Sequence, residues 1–399
     1  MPTIEERLAA LEAQMAAWID QQPTNYYTHQ YSGEEIDAAV GRALTGGALD
    51  TSVTNVSNQL GTFTRPNLLD NWYFGRPVDQ RGGYVVYAGA NLYSDASCTT
   101  IAGQVSGGPY AARAISDICV SFTSNATYYC KIGDTGVVRG YTGNGYSVDR
   151  WVLYTEGGNV AISNGYLDIY ASQQYGTYLT QKIDPELAKA LAGKTVTWSV
   201  LAVGGDSAFS ANINKNDSYV DSFTIEPNTI SFKTLTFPTD FTDISFVFAG
   251  NSAGHVCPIA AKLELGPTQT LAHKEGERWV LNEIPKYSRE LLDCRTYFVK
   301  FGYADKYCIL GSGVARDGTF VSITVPIPAE LRTYPVVILT GNIVIRHSDG
   351  VNQPCTAVVC DANGVSSILL KIQASGLTPG DAYEAFLAPG NYLDVSCDL

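Results

Sequence analysis

The chain has 399 residues, of which 45% are apolar, only 16% are charged and 38 are glycine, which suits two or three β-rich domains with many turns better than a helical enzyme. The formal net charge is −13 with Lys and Arg scattered, which argues against a nucleic-acid partner. No apolar run reaches the length of a membrane span, so no membrane insertion is expected.

Residues 1–22 carry a heptad stripe, with Met1, Leu8 and Met15 at a and Ile4, Leu11 and Trp18 at d. Arg7 falls at g and Glu12 at the following e, where they could bridge two helices, and Thr3 with Glu6 forms a capping box. Three heptads are too short to stand alone, so the segment predicts a trimeric coiled coil held by Ile4, Leu8, Leu11, Met15 and Trp18. The competing reading is an amphipathic helix packed on its own domain. Residues 23–66 form an attachment region and connector, in which Ser32 to Glu35 opens a second short helix bearing Ile36, Val40 and Leu44 and ended by Gly46-Gly47.

Residues 67–267 alternate as strands divided by Gly, Asn and Asp turns, with one helix at Pro185–Leu191, which predicts a large jelly-roll or β-sandwich domain. Within it, Trp72, Phe74, Trp151 and Trp198 are expected in the core. Periodicity fades over 268–296, apart from a short helix at Tyr287–Tyr297 with Leu291, Leu292 and Cys294 inward. Residues 297–399 return to strands and predict a smaller C-terminal β-sandwich head. No fixed-period repeat points to a parallel β-helix.

Nine cysteines at irregular spacing, with no CxxC, read as reduced, mostly buried thiols of a protein made in a reducing cytosol. The acidic N-terminus is not a signal peptide, so action outside a cell implies release by lysis or in a particle. The histidines at 29, 255, 273 and 347 stand far apart without HxH or HExxH, so neither a metal nor another cofactor is expected. Asp70, Asp149 and Asp168 read as turn or strand-end carboxylates. Gly250-Asn-Ser-Ala-Gly254 matches GxSxG, but a strand pattern follows it, so it reads as a turn and not a nucleophile elbow. Catalysis is not expected.

Aromatic stacking is the remaining handle, because sugar C–H faces pack on tyrosine rings while Asn and Asp supply hydrogen bonds. The chain has 25 Tyr, and Tyr93, Tyr110, Tyr170, Tyr175 and Tyr178 lie outside the strand-starting motifs. In the head, the polar loops 346–353 and 361–364 add His347, Asp349, Asn352 and Asn363 as hydrogen-bonding candidates, although Asp349-Gly350 and Asn363-Gly364 are also ordinary hairpin dipeptides.

Three stretches carry a family resemblance: Asn67-Leu-Leu-Asp-Asn-Trp-Tyr-Phe74 with Pro77 to Gly82, Tyr141 to Trp151, and Ala260 to Gly266. Together they resemble the jelly-roll domain, similar to carbohydrate-binding modules, of tail-fibre proteins from phages and prophages of gut Firmicutes. Tyr31 to Asp37 resembles the leader of such proteins, Tyr287–Tyr297 and Arg332 to Val337 their head, and Val395 to Leu399 their chain end. The resemblance implies a homotrimeric fibre of a phage or phage-tail-like particle. Its N-terminal end would meet a baseplate or tail protein, and its distal head would meet a host surface glycan. A structural spacer and a polysaccharide-degrading spike are the alternatives.

Overall fold

A computed structural model describes residues 65–399, except 125, 173–175, 207–208 and 398–399, together with residues 6, 9, 10 and 12–14. Residues 1–63 and 64–399 are separate compact units. In the first, Glu6, Ala9, Ala10, Glu12, Ala13 and Gln14 are helical and exposed. The proposed trimer contacts Ile4, Leu8, Leu11, Met15 and Trp18, and the second short helix, lie outside the described residues.

The second unit is mainly β and antiparallel. Two sheets face each other across its largest core. One contains, in spatial order, Thr229–Thr236, Thr195–Gly205, Gly254–Leu265, Tyr166–Ala171, Asn159–Ser163 and Val137–Thr142. The other contains Ser218–Thr224, Phe209–Lys215, Ile244–Gly250, Thr177–Lys182, Val152–Thr155 and Gly145–Tyr146. Alternation does the sorting: Leu153, Leu179, Phe246 and Phe248 point in from the second sheet to meet Leu167, Ile169 and Trp198 from the first. Trp72, Phe74, Trp151 and Trp198 are buried as the pattern predicts, and Gly250 to Gly254 is a turn between two strands.

A further layer grows from the first sheet. Strand Val137–Thr142 pairs through Gly140 to Thr142 with Asn159–Ser163, and through Val137 to Arg139 with Gly83–Val86. A Cβ on Gly140, where the partner changes, would collide with the Val160 carbonyl oxygen. Beyond that point the ladder continues through Tyr110–Ala114, Cys119–Thr123, Thr127–Lys131, Asn91–Tyr93 and Ile101–Gln104. These strands enclose a separate small core of Val86, Ala90, Val120, Phe122 and Cys130.

Helix Pro185–Leu191 forms where expected, capped by the Asp184 carboxylate, which accepts from the Glu186 and Leu187 N–H groups. Residues 268–286 are not irregular, as their weak periodicity suggests, but contain a hairpin, Ala272–Glu275 with Arg278–Leu281, turned at Gly276. Helix Tyr287–Arg295 buries Cys294, whereas Leu292 is exposed rather than inward.

The C-terminal part, expected as a smaller β-sandwich head, closes into a barrel. Its order is Cys308–Ala315, Phe320–Pro326, Ser367–Ala374, Asn352–Asn363, Ile343–His347 and Ala382–Leu387, which returns to the first strand. Inward Val321, Ile323, Ile345, Leu370 and Ile372 fill it. A sheet of Phe298–Phe301, Tyr392–Ser396 and Val336–Thr340 joins the same core through Val299, Leu393 and Val395.

Arginines and rings fasten sandwich to barrel. Gln80 Nε2 donates to Asp149 Oδ2 at 2.6 Å and to the Phe298 carbonyl at 2.8 Å. Arg81 pairs with Asp149 at 3.2 Å and stacks 3.8 Å from the Phe298 ring centre. Arg150 lies 3.5 Å from the Tyr297 ring centre while its Nε donates to Asp70 at 3.0 Å. All nine cysteines are free thiols, six of them buried. Among the described residues no helix is long and apolar enough to cross a membrane.

Candidate functional site

The outward row of the six-stranded sheet forms a cleft of about 330 Å³. Period-two alternation turns Val152 and Tyr154 outward on one strand, Tyr178, Thr180 and Lys182 on the next, and Ser245 and Val247 on the third. Cross-strand register then sets Tyr154 directly beside Tyr178, Val152 beside Tyr146 and Thr180, and Lys182 beside Ser245. Tyr154 and Tyr178 are 49% and 36% exposed, whereas Ser245 and Val247 form a buried floor. The result is two adjacent rings at one end of a groove, with polar groups about 14 Å along the strand at Lys182.

The polar end is organised by charge. Lys182 Nζ reaches Asp243 Oδ2 at 3.4 Å and Asp217 Oδ1 at 3.8 Å. Arg150, itself buried, donates through Nη2 to the Lys182 carbonyl at 3.0 Å and so fixes that strand end. Asn214 also lines the cleft, with its Oδ1 buried and without a hydrogen-bond partner. Tyr178 OH donates to Asn251 Oδ1 at 2.9 Å, which holds the ring upright. Aromatic faces, hydroxyls and a lysine within one groove suit a polyhydroxylated ligand.

Of the described tyrosines among those candidates, only Tyr178 enters this cleft. Tyr170 lies on the opposite sheet, in register with His255. Tyr93 and Tyr110 belong to the added layer, where Tyr93 OH donates to Asp134 Oδ2 at 2.6 Å and Tyr110 stacks on Phe122 with ring centres 4.9 Å apart. Tyr175 is outside the described residues. Tyr146, Tyr154, Lys182 and Asn214 were not singled out; the visible signal was the alternation of Val152 to Thr155 beside that of Thr177 to Lys182.

The two head loops do not make one surface. Asn352 and Asn363 are the first and last residues of a single strand, which places them roughly 35 Å apart at opposite ends of the barrel. Asn352 Oδ1 accepts from Arg346 Nε at 3.0 Å, and Asn363 Nδ2 donates to the Pro335 carbonyl at 2.7 Å. His347 and Asp349 do meet: Nδ1 lies 3.0 Å from Asp349 Oδ1 and Nε2 lies 3.1 Å from Asp381 Oδ2. These two carboxylates raise the imidazole above its ordinary 6.5, and the loop N–H of Val351 with His347 lowers Asp349. A raised histidine contributes stability that is complete below its unfolded value and vanishes as pH climbs through the folded one. The barrel should therefore lose thermal stability as pH rises above the ordinary histidine value of 6.5, and His347→Gln should flatten that fall. Melting curves of both proteins across this range that ran parallel would count against the pairing.

A larger recess of about 680 Å³ lies between sandwich and barrel. Three of its cations are already committed, Arg81 to Asp149, Arg139 to Asp79, and Lys300 to the Arg81 carbonyl at 2.9 Å and the Tyr392 ring, while Arg113 and Arg295 also line it. The tyrosine cleft is the better candidate.

No protein-family model and no curated protein matches the sequence. Among solved structures, the chain is similar to recombinant discoidin II of Dictyostelium discoideum, at 12% identity over 58% of this chain and 82% of that one, with a TM-score of 0.16. It is also similar to a cycloisomaltooligosaccharide glucanotransferase of Paenibacillus sp. complexed with cycloisomaltoheptaose, at 8% identity over 58% of this chain and 44% of that one, again with a TM-score of 0.16. Superpositions this far below 0.5 transfer no function.

Proposed function

We propose that the protein is an attachment subunit that binds a surface glycan in the tyrosine cleft of its six-stranded sheet, and that it acts by binding and not by catalysis. The observation that carries this reading is the exposed pair Tyr154 and Tyr178, side by side across two strands at one end of the groove. Sugar rings stack on such a pair, and the polar groups farther along the groove can hydrogen-bond ligand hydroxyls. The finer reading follows from the resemblance to tail fibres: a homotrimer, joined through residues 1–22 to a baseplate or tail protein, within a phage or phage-tail-like particle. Three modest sites per trimer then act together by avidity. The cleft replaces the head loops as the favoured recognition surface, because Asn352 is held by the Arg346 side chain, Asn363 by the Pro335 carbonyl, and the two lie at opposite ends of one long barrel strand.

The test compares host-cell and glycan-array binding by the full chain, by Tyr154→Ala/Tyr178→Ala, and by Asp349→Ala/Asn352→Ala. Both tyrosines are exposed, so the first variant should fold. It is expected to lose about tenfold to a hundredfold in affinity, at roughly 0.5–1.5 kcal/mol for each lost stack. The loop variant should bind like the parent. A folded tyrosine variant with undiminished binding would overturn the proposal, and loss confined to the loop variant would return recognition to the barrel.

A further inference from the structure

On the outer face of the other sheet, three side chains that ligate metals converge from two neighbouring strands. Asp168 points outward between buried Leu167 and Ile169, while His255 and Cys257 flank the inward Val256. The register pairs Ile169 with Val256 and Tyr170 with His255, which draws residues 87 positions apart into one cluster. His255 Nδ1 lies 3.1 Å from Asp168 Oδ1, and Cys257 Sγ lies 3.9 Å from both. Cys257 is 6% exposed, whereas the His255 and Asp168 side chains are 47% and 37% exposed. The thiol thus forms a floor and the other two ligands form an open rim. The adjoining strand Thr195–Gly205 carries its register shifts here, between Leu201 and Gly205, and Gly204 abuts Cys257.

Tetrahedral zinc holds oxygen and nitrogen at about 2.0–2.1 Å and sulfur at about 2.3 Å, so its ligand atoms stand roughly 3.3–3.6 Å apart. The three observed separations bracket that range, and small side-chain adjustments would seat an ion. We infer that Asp168, His255 and Cys257 form a three-ligand site for a zinc-class divalent cation, with the fourth position open to solvent. One sulfur and one imidazole nitrogen beside a single carboxylate favour this class over calcium or magnesium, which take oxygen ligands. Binding converts the Cys257 thiol to a metal thiolate and releases its proton to solvent, with no change of oxidation state.

The experiment is a Co²⁺ titration of the reduced, chelator-treated full chain, read by absorption. The expected result is saturation at one ion per chain with a thiolate-to-cobalt charge-transfer band, which added Zn²⁺ removes. His255→Gln and Cys257→Ser should each weaken binding at least tenfold and reduce the band, and Cys308→Ser should leave it intact. His255 is exposed, so His255→Gln reports on the site even if Cys257→Ser does not fold. Absence of the band in excess Co²⁺, or a band unchanged in His255→Gln, would overturn the assignment.

Discussion

Replacing Trp151 with alanine is expected to cost the sandwich about 3–5 kcal/mol, the range for a large ring deleted from a packed core. Trp151 is fully buried, its ring centre lies 5.4 Å from Phe74 and 5.5 Å from Phe248, and its Nε1 donates to the Asn71 carbonyl at 3.1 Å. Alanine leaves a void that flanking rings cannot fill from their strand positions, and it orphans a buried carbonyl. The barrel has its own core, so urea unfolding followed by tryptophan fluorescence and by far-ultraviolet dichroism should separate into two transitions, the sandwich first. A midpoint within 1 kcal/mol of the parent, with one shared transition, would contradict the role assigned to this ring.

Arg81→Met is expected to destabilise the protein by an amount that grows with pH. Arg81 faces Asp149, which burial pushes up to about 7 against the opposing pull of the arginine. In the folded parent the carboxyl therefore keeps its proton above the pH at which the unfolded chain releases it. The folded state binds more protons across that window, so stability falls as pH rises toward 7. Without the guanidinium the folded carboxyl rises further, and the window extends into the alkaline range. The variant should lie close to the parent in mild acid, apart from lost stacking on Phe298, and fall below it by up to about 1.4 kcal/mol for each pH unit above 7 over which its unpartnered carboxyl keeps its proton. Chemical denaturation at the two extremes measures the gap, and a gap of constant size would refute the pairing.

Much of the core was legible because alternation reports which face a residue takes. Trp72, Trp151 and Trp198 read correctly as interior, and helix Pro185–Leu191 was announced by its Asp-Pro start. Closure was not legible: a barrel strand and a sandwich strand share the same period, and only the pairing of Ile343–His347 with Ala382–Leu387, and of that strand with Cys308–Ala315, decides between them. The cleft was half legible. Tyr178 stood out, but Tyr154 became its neighbour only through a register that no local pattern encodes. The same holds for His255 and Cys257, whose third companion Asp168 lies on a strand far earlier in the chain. The loops 346–353 and 361–364 each read as a strand end, and the long strand Asn352–Asn363 that separates them shows no local signal of its length.

The strand pair that carries the added layer has a consequence for how such a protein can diversify. Gly83–Val86 and Val137–Thr142 lie hydrogen-bonded, Val86 opposite Val137, so the chain leaves and returns to the sandwich one strand spacing apart, about 5 Å. Everything between them folds around its own core and touches the rest through few bonds, such as Tyr87 OH to Asn159. Loop closure at that socket is met by the paired strands whatever length they carry. The layer is in effect a cassette: it can be shortened to a turn, enlarged or exchanged for another module while the six-stranded sheet keeps its register.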